Sequence, residues 1–236
     1  MIRWAAAVAL LAAPAAAEIV SARYAEPTAR YAHLVLGRDH NFAALEVALA
    51  DGTRRALRHP EMVFEDTAPR VAEVDGRPGP EVVVVESDPR RGARVAVYGL
   101  RDGALARIGA TPFVGRANRW YAVADVSDLD GDGAVEVSFV DRPHLAKTLR
   151  TWRWTGGGLA EVAALPGVTN HRIGDPGIPG GRRDCGAGPE IVLADADWSG
   201  LVAVRLSGDR LTARPLGGPA TAANFDNALG CNAVSP

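Results

Sequence analysis

Lysine is almost missing from this chain: of 26 basic residues only Lys147 is a lysine. A GC-rich coding bias accounts for that without any arginine-specific role. Basic and acidic residues nearly cancel, at a formal net charge of -2. No basic stripe is therefore available for nucleic acid or an anionic membrane. Aromatics are scarce, at 6%. Cysteine is limited to Cys185 and Cys231, with no CxxC spacing for metal or redox chemistry. HExxH, GxSxG and GxxxxGK are all absent, which removes the local signatures of zinc proteases, α/β-hydrolases and P-loop enzymes. The apolar stretch 4–17 is shorter than the roughly 18 residues a membrane span needs, and no later segment is as continuously apolar.

That opening stretch has another reading. Arg3 precedes the apolar run Ala5 to Ala13, and Ala15, Ala16 and Ala17 form a small-residue cleavage site. Residues 1–17 read as a signal peptide, so the mature chain is expected to begin near Glu18 and to reside in the periplasm or the medium. No cysteine stands directly after the small residues of the cleavage site, which speaks against a lipid anchor, and no paired arginines precede the apolar run. In an oxidising compartment an even cysteine count reads as a disulfide. Joining Cys185 to Cys231 would staple the C-terminal tail to the body, for about 4 kcal/mol in the chain-entropy model.

The remaining chain carries an internal repeat. Asp75, Asp130 and Asp184 each stand six residues before a glutamate, Glu81, Glu136 and Glu190, and copies recur about 54 residues apart. Each glutamate opens an apolar run, EVVVVES, EVSFVD or EIVLAD, followed by alternating segments separated by Gly, Pro and Asp turns. With the strand-like piece before each loop, one unit reads as four short strands. The N-terminal part fits the template without the loop: EIVSARY, YAHLVLG, ALEVALA and TRRALRH are its expected strands. NFAALEVALADGTRRAL has some amphipathic helical character, but its alternation and DG turn favour a hairpin.

Four such meanders predict an all-β, single-domain β-propeller of about four four-stranded blades. The repeats fall at about 18–67, 68–119, 120–170 and 171–218, and a tail, 219–236, closes the ring beside the first blade. A β-sandwich, or a half-propeller completed by a second chain, are the alternative arrangements.

The middle copy, DLDGDGAVE, places Asp128, Asp130, Asp132 and Glu136 at positions 1, 3, 5 and 9, with glycines at 4 and 6. Four like charges so close repel unless a cation sits among them, and calcium takes six to eight such oxygens. An EF-hand would put its last glutamate at position 12 between helices; here the flanks read as strands. This pattern resembles the calcium loops of FG-GAP and VCBS-type propeller repeats, modules also found in integrin α-chain heads and secreted bacterial proteins. The resemblance implies one calcium ion (Ca2+) per chain, bound by Asp128, Asp130, Asp132, Glu136 and the Ala134 carbonyl.

The other copies lack acids the pattern requires: Arg77 and Gly186 stand at position 5, and Arg182 at position 1. Guanidinium groups are expected to replace the cation there, Arg77 with Glu73, Asp75 or Glu81, and Arg182 or Arg183 with Asp184 or Glu190. DADWSG, Asp195 to Gly200, imitates the loop's start but ends at Ala203, and reads as a hairpin turn.

Five residues beyond each glutamate stands a further acid, Glu86, Asp141 or Asp195, which pseudo-symmetry would set on one face together with His144 and His171. Loops on a rigid scaffold are where recognition resides. The expected function is a non-catalytic binding or interaction module for a protein or glycan. A periplasmic hydrolase or lyase using Asp141, His144 and His171 is the runner-up, and a structural envelope component the third reading.

Overall fold

The computed structural model describes residues 18–235; the expected signal peptide and its cleavage site lie outside these residues. The chain is all-β: about half of it is strand, with one short helix among the described residues. It opens with β1 (Ile19–Thr28), β2 (Asn41–Leu49) and β3 (Arg54–Arg58), which pair antiparallel in that order. The Asp51-Gly52 turn joins β2 to β3, so the segment with mixed helical and hairpin character is a hairpin. A second unit comprises β4 (Val63–Phe64), β5 (Arg70–Ala72), β6 (Glu81–Asp88), β7 (Gly92–Arg101) and β8 (Ala104–Ala110). Here β4 and β5 lie end to end along one edge of β6, as two pieces of an interrupted inner strand. Phe64 also pairs with Phe42 of β2, and this contact merges the first two units into one eight-stranded sheet.

The third unit is an uninterrupted meander of β9 (Tyr121–Ser127), β10 (Glu136–Asp141), β11 (Thr148–Trp154) and β12 (Leu159–Pro166). The fourth repeats the broken inner strand as β13 (Val168–Thr169) and β14 (Gly181–Asp184), followed by β15 (Pro189–Asp195), β16 (Leu201–Ser207) and β17 (Arg210–Gly217). Helix α1 (Ala222–Leu229), capped by the Thr221 hydroxyl, ends the fold.

The central strands β6, β10 and β15 are buried along nearly their whole length, with no alternation of buried and exposed residues, because both of their faces are covered. Val82 and Val84 of β6 pack against Leu45 and Val47 of the first unit, whereas Val83 and Val85 face Val123 and Phe139 of the third. Ile191 and Leu193 of β15 join Val140 and Leu149 of the third unit; Val192 and Ala194 turn the other way, to Phe225 and Ala228 of α1. The units therefore stack face to face in chain order. Trp154 presses on β8 so closely that a Cβ on Gly109 would stand 2.6 Å from the indole, which is why that strand has glycine there.

The expected ring of four separate four-stranded blades differs from this arrangement in three respects. The sheets have eight, four and five strands. YAHLVLG and HRIGDPGI are not strands but irregular loops, which bury Tyr31, Val35, Leu36 and His171. Among the described residues no apolar cluster joins a strand of the first unit to a strand of the last; the two meet through these loops, where the Gly174 N–H donates to the Val35 carbonyl at 2.8 Å. The tail packs as α1 on β14 and β15 of the last unit. Cys185 and Cys231 are disulfide-bonded, which agrees with an oxidising extracellular or periplasmic setting. Among the described residues no helix is long and apolar enough to cross a membrane.

Candidate functional sites

The acid-rich loop connects β9 to β10, strand to strand as its spacing implies. Gly131 and Gly133 take φ of +81° and +89°, a region glycine enters without penalty. This lets the backbone curl so that the Gly131 and Gly133 N–H groups donate to Asp128 at 2.7 and 2.9 Å. Asp128 is mainly subject to an upward push from desolvation, yet these N–H groups together hold its pKa below the usual value. Oxygens of Asp128, Asp130 and Glu136 converge within 4.8 Å of one another, a separation that two ligands at about 2.3 to 2.6 Å from one ion can span. The donor set is entirely hard oxygen and fits calcium. Asp132 is turned elsewhere: it accepts from the Ala134 N–H at 2.8 Å and pairs with Arg153 at 2.9 Å.

Arg153, on β11 in register with Glu136, reaches three of the four acids. Its Nε donates to Glu136 at 2.5 Å and one Nη to Asp130 at 3.0 Å; the other Nη faces Asp132. In the second unit Asp75 is paired at 2.9 Å with Arg101 of β7, which corrects the expectation of Arg77. Among the described residues Arg77 is tied to the loop by its backbone N–H, which donates to Asp75, and its side chain makes no ion pair. In the fourth unit Arg183 binds Glu190 as expected, and Arg205 and Arg214 join it. DADWSG is the hairpin turn between β15 and β16, closed by Asp195 accepting from Ser199 N–H and Oγ at 2.7 and 2.6 Å.

Of the candidate recognition acids, Glu86 and Asp141 are buried and saturated. Asp141 is held by Arg142 and Arg150, and is not aligned with either histidine. Glu86 accepts from Arg94 at 2.6 Å, from the Tyr98 hydroxyl and from His59 at 3.0 Å. Burial pushes the Glu86 pKa upward, but His59, Arg94 and Tyr98 outweigh it and leave the net value lowered. A carboxylate depressed on folding stabilises above its unfolded pKa, about 4.3 for glutamate, and that contribution is lost as pH falls through the folded value. Acid unfolding followed by circular dichroism should therefore steepen below about pH 4, and Glu86→Gln should flatten that slope while lowering stability at pH 7. A Gln variant with the wild-type pH profile would exclude this source.

His144 and His171 do come together: Nε2 of one lies 2.9 Å from Nδ1 of the other. The second His171 nitrogen is bound to the Asp175 carbonyl at 2.9 Å, so no acid orients the pair. Desolvation first, then the His171 charge, pushes His144 down to about 4, and burial lowers His171 as well. Burial favours the neutral form of both rings, which pack on Trp120. Beside them stand two residues that sequence reasoning did not select, His33 and Glu65, joined at 2.7 Å. His33 lies in the loop between β1 and β2, and Glu65 in the break between β4 and β5. No local motif announces their pairing. The crevice lined by His33, Trp120 and His144 measures about 20 Å3, room for a water but not a substrate.

A larger opening lies elsewhere. Between loop 171–179, the turn at Trp198 and the start of α1 is a cleft of about 550 Å3, lined by Trp198, Phe225, Ile178 and Arg172. This is within the range of small-ligand sites. The Arg172 guanidinium stacks on Trp198 at 4.2 Å, and Trp198 holds a left-handed φ of +65°. The chain matches no protein-family model and no curated protein sequence.

Proposed function

We propose that this is an exported, calcium-stabilised recognition module of propeller-like build, which binds a protein or glycan without transforming it. The observation that carries the reading is the separation of the clustered histidines from the large cleft. His144 and His171 are consumed by each other and by backbone beside a crevice of about 20 Å3, and Asp141, which lines a separate opening of about 310 Å3, is taken up by Arg142 and Arg150. The roomy cleft is instead walled by Trp198, Phe225 and Ile178 with Arg172 and Asp175 at its edge and no histidine among its lining residues, a surface suited to contact more than to proton transfer. The disulfide supports export. The runner-up hydrolase or lyase would need a base oriented by an acid in a space that admits a substrate. Among the described residues His144 and His171 have no acid within hydrogen-bond reach, and His33, which has Glu65, opens onto the crevice of about 20 Å3.

In this reading Asp128, Asp130 and Glu136 hold the ion, with Asp132 and the Ala134 carbonyl supplying further oxygens. Calcium contributes charge neutralisation that fixes the turn and with it the register of β9 on β10. At a calcium concentration a hundredfold above Kd the fold gains about 2.7 kcal/mol. Melting with calcium and with a chelator should therefore differ by several degrees, and Asp130→Ala should remove the difference. Identical melting temperatures under all these conditions would end the calcium reading. A panel of glycans and peptides, followed by quenching of tryptophan emission, tests recognition: saturable binding lost in Trp198→Ala supports it, and turnover of a bound compound supports the hydrolase.

A further inference from the structure

Each of the three loop-bearing units sends one arginine from the strand after the glutamate strand back to its acid turn. These are Arg101, Arg153 and Arg205, equally spaced at 52 residues. The interval recurs although the acids around it change. In the second unit the target is Asp75 alone. In the fourth it is Glu190, which two more arginines already share. In the third unit the one guanidinium spreads over Asp130, Asp132 and Glu136. A cation held by the protein itself is thus common to all three turns, whether or not the turn has enough carboxylate for a metal.

We infer that Arg153 is a built-in counter-cation of the 128–136 loop, and that a divalent ion binds there only by displacing it. The inference rests on the calcium reading for its ligand but not for the arginine's position. Its physical basis is shared oxygen. The Asp130 and Glu136 carboxylates that converge with Asp128 are the ones Arg153 engages, through Nη2 and Nε. The second Glu136 oxygen is occupied by the Leu129 N–H at 2.8 Å, and Asp128 has both oxygens on loop N–H groups. Little anionic capacity is left unused, so the two cations compete, and a positive guanidinium beside the ion would repel it. The planar fork of arginine suits three carboxylates at once, which a lysine ammonium on the same strand would match less well.

Two consequences follow. Without metal, Arg153 keeps the turn formed and spares it the repulsion of bare carboxylates. With metal, binding is weaker and its threshold higher than the acids alone would give, so the loop answers to an abundant divalent ion and not to traces.

The test is calorimetric titration of the purified protein with calcium chloride, comparing wild type with Arg153→Met and Arg153→Lys, alongside melting in chelator. Arg153→Met should bind calcium about tenfold or more tightly than wild type, melt lower than wild type in chelator, and recover when calcium is added. Arg153→Lys should fall between the two. Arg205→Met, remote from the loop, should leave calcium affinity unchanged. Binding by Arg153→Met but not by wild type would uphold the arginine's role and remove calcium from the native function. Equal or weaker calcium binding by a folded Arg153→Met would overturn the inference while leaving the calcium reading intact. Absence of binding in every folded variant would overturn both.

Discussion

Replacing Trp120 by alanine is expected to destabilise the protein by about 3 to 5 kcal/mol, the usual cost of removing a large buried aromatic. The side chain is 2% exposed and belongs to the cluster that joins the second and third units. Its indole N–H donates to the Glu65 carbonyl at 2.6 Å, tying the loop that interrupts one inner strand to the start of the next. Truncation would leave a cavity, an unpaired carbonyl and two histidines without the ring they rest on. Trp120→Phe separates these effects, since it keeps most of the apolar area and loses the hydrogen bond, for about 1 kcal/mol. Urea unfolding reads both. A loss below about 1 kcal/mol for the alanine variant would mean that the units do not depend on this contact.

Opening the disulfide is the second large effect. The bond spans 46 residues, and in the chain-entropy model a loop of that size contributes about 4 kcal/mol by restricting the unfolded chain. Cys231 lies two residues beyond the last residue of α1, so the bond also holds the helix against β14 and β15, where Arg183 donates to the Ala228 carbonyl at 2.9 Å. Cys231→Ser is therefore expected to lower stability towards urea by about that amount and to release the α1 amides to hydrogen exchange before the sheets. A variant as stable as the wild type, with α1 still protected, would mean that packing alone holds the tail.

The all-β class could be read because its cause is local. Valine runs bounded by Gly, Pro and Asp turns have few other uses, and the cysteine count sufficed for the disulfide. The strand-loop-strand setting of Asp128 to Glu136 was legible for the same reason. Arg153 was not, because its partnership with Glu136 depends on cross-strand register, which spacing within one strand does not reveal. The same limit made Arg77 look like the partner of Asp75, when Arg101 reaches it from the neighbouring strand. YAHLVLG alternates like a strand, yet its apolar side chains serve to fill the middle of the molecule from a loop. Helix α1 carried modest signals, Thr221 before it and Gly230 after, which the abundance of alanine and asparagine around them did not amplify.

The position of α1 also limits how such a protein can grow. In a stack whose members each offer a flat apolar side to the next, any uncovered side invites another copy, from the same gene or from another molecule. By lying across Val192 and Ala194, the helix acts as an end-stop. The opposite terminus is protected differently, by the charged pair Arg23 and Glu46 on its open side. Duplication of a unit between these two barriers would leave both of them in place.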